Sequence, residues 1–170
     1  MEFLALRRSL IDDGKLNEIL DMLKVTDPRK DMESIENAEG RMAGNTSSWV
    51  FDKDEFKSWR DDDTKKALWI SGGPGKGQSM IALSLVKELS KSQENLDPDA
   101  ADVILSYFFC HNAILHRSNA LDMIKTLIRQ IIVQRRDLAE HLLSNNGRSK
   151  SNSQNNSLAF SSLPALWKAL

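Results

Sequence analysis

The segment Ala67-Leu68-Trp69-Ile70-Ser71-Gly72-Gly73-Pro74-Gly75-Lys76-Gly77-Gln78-Ser79 decides how the chain is read. An apolar run of strand length enters a glycine-rich turn, and helix-forming residues follow from Met80 to Ser90. Strand, loop and helix in that order are the setting of a phosphate-binding loop of the form G-x-x-x-x-G-K-[ST]. Gly72, Gly77 and Ser79 fall in register, and the lysine position holds Gln78.

The chemistry explains the residue types. Gly72, Gly73, Gly75 and Gly77 let the backbone turn with positive φ and approach a polyphosphate without a Cβ in the way, with Pro74 and Lys76 completing the turn. N–H groups between Gly73 and Ser79 then form an anion nest above the positive end of the following helix. Ser79 is placed to give its hydroxyl to Mg²⁺. Gln78 donates a neutral hydrogen bond where the motif has a charge. A hydrogen bond to a charged group is worth about 1.5–3 kcal/mol against about 0.5–1.5 for a neutral one. The expectation is weak ATP or ADP binding and a larger loss in hydrolysis, where charge develops. Lys76 is read as a solvated loop lysine, with reach-back to the phosphates as its functional alternative.

Composition bounds the rest. The 170 residues suffice for a globular domain with a core, and 41% hydrophobic with 28% charged content is ordinary for a soluble protein. A net charge of −1 supplies no field to recruit nucleic acid or an anionic membrane. The single cysteine, Cys110, excludes an internal disulfide and reads as a buried structural thiol at the end of an apolar run. His111, His116 and His141 have no companion ligands at metal spacing and read as surface or core-edge residues. No stretch has signal-peptide or membrane-span character, so the expected location is cytoplasmic.

Along the chain, Leu4 to Leu23 carries a helical apolar pattern breaking near Asp12-Asp13-Gly14, and Thr26-Asp27-Pro28 ends it. A second short helix is expected from Asp31 to Gly40. Trp49, Val50, Phe51, Phe56 and Trp59 form an aromatic prelude expected to pack onto a sheet. Val103 to Phe109 is nearly continuously apolar, the pattern of a strand covered on both faces of a parallel sheet. Asn119 caps a long helix whose stripe, Leu121, Ile124, Leu127, Ile128, Ile131, Ile132 and Leu138, is core; Arg129, Arg135 and Arg136 read as its solvated face. The division is 1–24 helical segment, 25–143 partial nucleotide domain, 144–157 polar low-complexity loop, and 158–170 final helix. The fold class is α/β: the opening half of a P-loop NTPase-like parallel sheet flanked by helices, behind a helical N-terminal prelude.

No catalytic residue is assigned. A nucleotide hydrolase needs a hydrophobic strand ending in an acid to hold Mg²⁺ or its water. Trp49-Val50-Phe51-Asp52 has those residue types but precedes the loop, and Asp102 stands at the wrong end of its strand. A small-molecule kinase is disfavoured because lid arginines and a base have no visible placement.

Four pieces together carry a family resemblance: Val25-Thr26-Asp27-Pro28-Arg29, Phe56-Lys57-Ser58-Trp59, Leu68 through Gly77, and Ser106-Tyr107-Phe108-Phe109-Cys110. With them the chain resembles fungal NACHT-type signal-transducing NTPases, the HET-E-like heterokaryon-incompatibility proteins. Their NTPase segment is also described as a nephrocystin-like N-terminal domain. The chain departs from the family pattern at Gln78, where the family has lysine. The resemblance implies a nucleotide-controlled signalling switch and makes Thr26 to Arg29 an edge of the base pocket. It also implies a truncated or degenerate relative, with catalytic completion supplied by residues outside the chain. The rival expectation is a non-catalytic module that associates with full-length NACHT-like relatives through its half-sheet or the Leu121–Ile132 stripe.

Overall fold

The computed structural model describes residues 13–38, 47–94, 103–112 and 114–139, with single residues at 142, 162 and 164. Its helices are α1 (Asp13–Met22), α2 (Pro28–Ala38), α3 (Asp54–Asp61), α4 (Gln78–Glu94) and α5 (Ala120–Gln134), joined by short 3₁₀ turns at Ser48–Val50, Leu115–Arg117 and Arg136–Leu138. They fall into two compact units, one built from Met1–Pro28 with Asp102–Leu170 and the other from Arg29–Ala101.

The first unit is organised by α5. Asn119 is extended, with φ −126 and ψ 150, and its side chain accepts the Asp122 N–H, as its position before the apolar stripe leads one to expect. The stripe is core: Ile128 and Ile132 are buried with Leu16 and Ile19 of α1 and with Leu23, Ala139 and Leu142. Leu121 and Ile124 pack against the same cluster. These four residues of the stripe are therefore taken up within the unit. The arginines are engaged as well. Arg129 Nε donates to the Leu20 carbonyl at 3.3 Å, near the negative end of α1, Arg135 pairs with Asp137, and Arg136 lies 3.5 Å from Asp13.

Helix α2 opens on Pro28, whose fixed φ suits a first helical position, and from Arg29 onward it belongs to the second unit. Lys87 of α4 meets Glu36 of α2 at 2.7 Å, and the buried hydroxyls of Ser84 and Ser47 are hydrogen-bonded at 2.9 Å. The aromatics pack on one another: Phe56 is fully buried, with ring centroids 5.3 Å from Phe51 and 5.8 Å from Trp59.

The expected parallel sheet is overturned. Among the described residues there is no strand pairing; 67–71 has no regular structure, and 103–110, whose residues 105, 107 and 109 bond to one side, is extended but joins no ladder. An extended run becomes part of a sheet only when a neighbour pairs its peptide groups. Along 105–109 side chains fill that place instead. Gln134 Nε2 donates to the Leu105 carbonyl at 2.7 Å while its Oε1 accepts the Leu105 N–H at 3.1 Å. Gln130 treats Tyr107 in the same way, at 2.9 and 3.3 Å. Arg117 Nε donates to the Phe109 carbonyl at 3.1 Å.

Cys110 is exposed, not the buried thiol expected, because it follows Phe109 on the opposite side of the extended backbone. His111 and His116 are exposed as read. His141, the pattern from Leu4 to Ile11, the 144–157 loop and nearly all of 158–170 lie outside the described residues. No described helix is long and apolar enough to cross a membrane.

The α1–α5 core makes a direct prediction. Ile132→Ala removes a fully buried side chain and should destabilise the protein by about 2–5 kcal/mol in denaturant unfolding. The adjacent Val133→Ala, at a position 54% exposed, should cost less than about 0.5 kcal/mol.

Candidate phosphate-binding loop

The loop adopts the local conformation its glycines call for. Lys76 N–H donates to the Gly73 carbonyl at 3.3 Å, closing a tight turn over Pro74 and Gly75. Gly75 and Gly77 have φ of 73 and 80, the left-handed region that side chains disfavour. A Cβ at either position would meet nothing within 4 Å, so the demand for glycine there is conformational and not steric. The Ile81 N–H donates to the Gly77 carbonyl at 2.9 Å, which starts α4 at Gln78, two residues before the start read from the sequence.

That start leaves the N–H groups of Gln78, Ser79 and Met80 in the first turn, where a helix has no internal acceptors for them. None finds an acceptor among the described residues. The Ser79 hydroxyl is exposed beside them and also makes no hydrogen bond among the described residues. Lys76 is exposed, and its ammonium forms no ion pair among them. Gly72, Gly73, Pro74, Gly75, Lys76, Gly77, Gln78 and Ser79 are thus one contiguous, solvent-facing loop and helix start.

Gln78 turns back into the loop. Its Nε2 donates to the Gly72 carbonyl at 2.7 Å, joining the first residue of the motif to the seventh. The same contact places Nε2 3.4 Å from where a Gly72 Cβ would stand. Sequence reasoning recognised the loss of charge at this position but not this staple. A neutral amide has many acceptable partners, and its choice is made only once the turn has formed.

Upstream, Asp62 accepts the Thr64 N–H at 2.9 Å and its hydroxyl at 2.6 Å, which holds its carboxyl below the usual range. Asp61 is lowered by its hydrogen bonds from Arg60, whose own pKa is raised by the same pair. For such depressed carboxylates the stabilisation is present above the unfolded pKa and fades as pH falls through the folded one. All three groups are at the surface, so the effect is small.

No group of three or more His, Cys, Asp or Glu side chains suited to a metal occurs among the described residues. Thr26, in the turn between α1 and α2, has its Oγ1 buried without a hydrogen-bond partner.

Comparison with known proteins bears out the resemblance. The family model described as "Nephrocystin 3, N-terminal" matches residues 45–170, most of the chain. The vegetative incompatibility protein HET-E-1 of Podospora anserina is 35% identical over 138 residues, covering 81% of this chain. The chain spans only 10% of that relative's length. No solved structure matches.

The loop geometry predicts an asymmetry among its glycines. Gly77→Ala should destabilise by about 1–3 kcal/mol, the cost of holding a side-chain-bearing residue in the left-handed region. Gly73→Ala, whose Cβ would come no closer than 4.0 Å to Lys76, should change stability by less than about 0.5 kcal/mol. Thermal or denaturant unfolding of the two variants distinguishes them.

Proposed function

The chain belongs to the nephrocystin 3 N-terminal family, and from that premise we propose that it is the nucleotide-binding segment of a NACHT-like signal-transducing NTPase, binding ATP or ADP weakly. The observation that carries this reading is the pairing of two positive-φ glycines with unpaired first-turn amides at the start of α4. Backbone N–H groups from Gly73 to Ser79 would hold the phosphates, and Ser79 would offer its hydroxyl to Mg²⁺. A bound metal ion would supply charge neutralisation between phosphate oxygens.

Gln78 sets the strength of the site. A lysine would bring a full charge to the phosphates, whereas Gln78 commits an amide hydrogen to Gly72. The backbone nest and helix end remain, so binding is retained and weakened. Hydrolysis is impaired further, because the missing charge matters most where charge develops. Lys76 is a solvated loop residue in this reading. A second reading, a cytoplasmic module that associates with full-length NACHT-like relatives, is favoured by Trp69, which stands 88% exposed on a segment without regular structure or backbone partners among the described residues.

A thermal-shift titration tests the proposal, since a ligand that binds the native state must raise its apparent stability. Mg-ATP and Mg-ADP should each raise the melting temperature of the protein. Gln78→Lys should bind about tenfold more tightly and shift further. Lys76→Ala should leave the affinity unchanged. A folded protein and Gln78→Lys variant that both fail to shift would remove the nucleotide reading and leave the association module.

A further inference from the structure

The extended segment 103–109 has two hydrogen-bonding edges, and the protein treats them differently. Odd-numbered residues point their N–H and C=O groups to one side, and that side is closed by Gln134, Gln130 and Arg117. The His111 N–H continues the closure by donating to the Arg117 carbonyl at 2.7 Å. Even-numbered residues point the other way. The peptide groups of Ile104, Ser106 and Phe108 make no hydrogen bond among the described residues. All three residues are partly exposed, as is Val103 beside them.

We propose that this even-numbered edge is a self-association surface, on which a second copy of the chain pairs antiparallel through the same edge, related by a two-fold axis at Ser106. Three observations select a second copy as the occupant. The run from Val103 to Cys110 carries no charge and no proline, so it lacks the residues that keep edge strands apart. The net charge of −1 raises no long-range repulsion between copies. The sequence is also self-complementary about its centre. Antiparallel pairing at Ser106 sets serine against serine, Ile104 of one copy against Phe108 of the other, and Leu105 against Tyr107. Hydroxyl pairs and aliphatic–aromatic pairs are favourable cross-strand neighbours, and no like charges face each other.

The glutamines determine where assembly stops. With one edge open and the other closed by side chains, the interface is isologous and ends at a dimer. With both edges open, each strand could take a neighbour on either side and the assembly would have no natural end. Gln130 and Gln134 are positioning residues in this sense: they confine pairing to one edge.

Sedimentation across a range of protein concentrations, without nucleotide, should show a monomer–dimer equilibrium. Hydrogen exchange on the unmodified chain should show amides of Ile104, Ser106 and Phe108 that become protected as concentration rises. The amides of Leu105 and Tyr107 should be protected at every concentration. Ser106→Pro removes an N–H from the open edge while leaving the odd-numbered peptide groups in place, and should weaken the dimer about tenfold or more. Gln130→Leu with Gln134→Leu should convert the dimer into longer assemblies detected by light scattering. A chain that stays monomeric throughout, or even-edge amides whose exchange is independent of concentration, overturns the proposal. So does a dimer that persists unchanged in a folded Ser106→Pro variant.

Discussion

Backbone groups of an extended run need hydrogen-bond partners, and among the described residues that requirement is met without a sheet. The side-chain amides of Gln130 and Gln134 carry the same donor and acceptor as a peptide group, and each engages the N–H and C=O of one residue. The spacing allows it. Four residues of helix advance about 6 Å, and two residues of strand advance about 6.7 Å. A pair of glutamines at i and i+4 therefore matches alternate strand residues closely enough for both to bond. Ile128 and Ile132 stand two positions before those glutamines, close to the opposite side of the helix. One face of α5 thus buries apolar surface with α1, and the other supplies the backbone partners that 105–107 would otherwise lack. The first unit depends on both faces at once.

The same requirement explains how much was legible in the sequence. The helices were readable because their determinants are local: Asn119 sits three residues before the amide it caps, and the α5 stripe repeats at helical spacing. The extended character of Val103 to Phe109 was readable from its apolar run, but pairing is not a local property. An apolar run of strand length is compatible with a sheet, and nothing in its own residues states which peptide groups will face it. The polar side of α5 held the signal that was missed, since two glutamines four apart can serve an extended backbone as readily as solvent. Cys110 failed for a related reason. Its place at the end of an apolar run suggested burial, whereas the alternation of a strand sets it on the side away from Phe109.

In the glycine-rich loop four glycines were candidates for positive φ, and two of them, Gly75 and Gly77, adopt it; which two depends on the turn and not on residue type. The consequence of Gln78 was half visible. Loss of charge follows from the residue type, but what the amide does instead depends on the turn that brings Gly72 within reach.

That staple changes the energetics of the loop. A lysine at the start of α4 would place an ammonium against the positive end of a helix dipole, an arrangement that is unfavourable until an anion arrives. Such a loop gains stability from its ligand. Gln78 removes that repulsion and adds a hydrogen bond within the loop, so the turn is supported before any phosphate is present. The unpaired amides of Gln78, Ser79 and Met80 still favour an anion, but the charge that would have coupled the loop's stability to that anion is gone. Position 78 thus holds a residue that supports the loop's own shape through the Gly72 carbonyl, where a lysine would have left that support to a ligand.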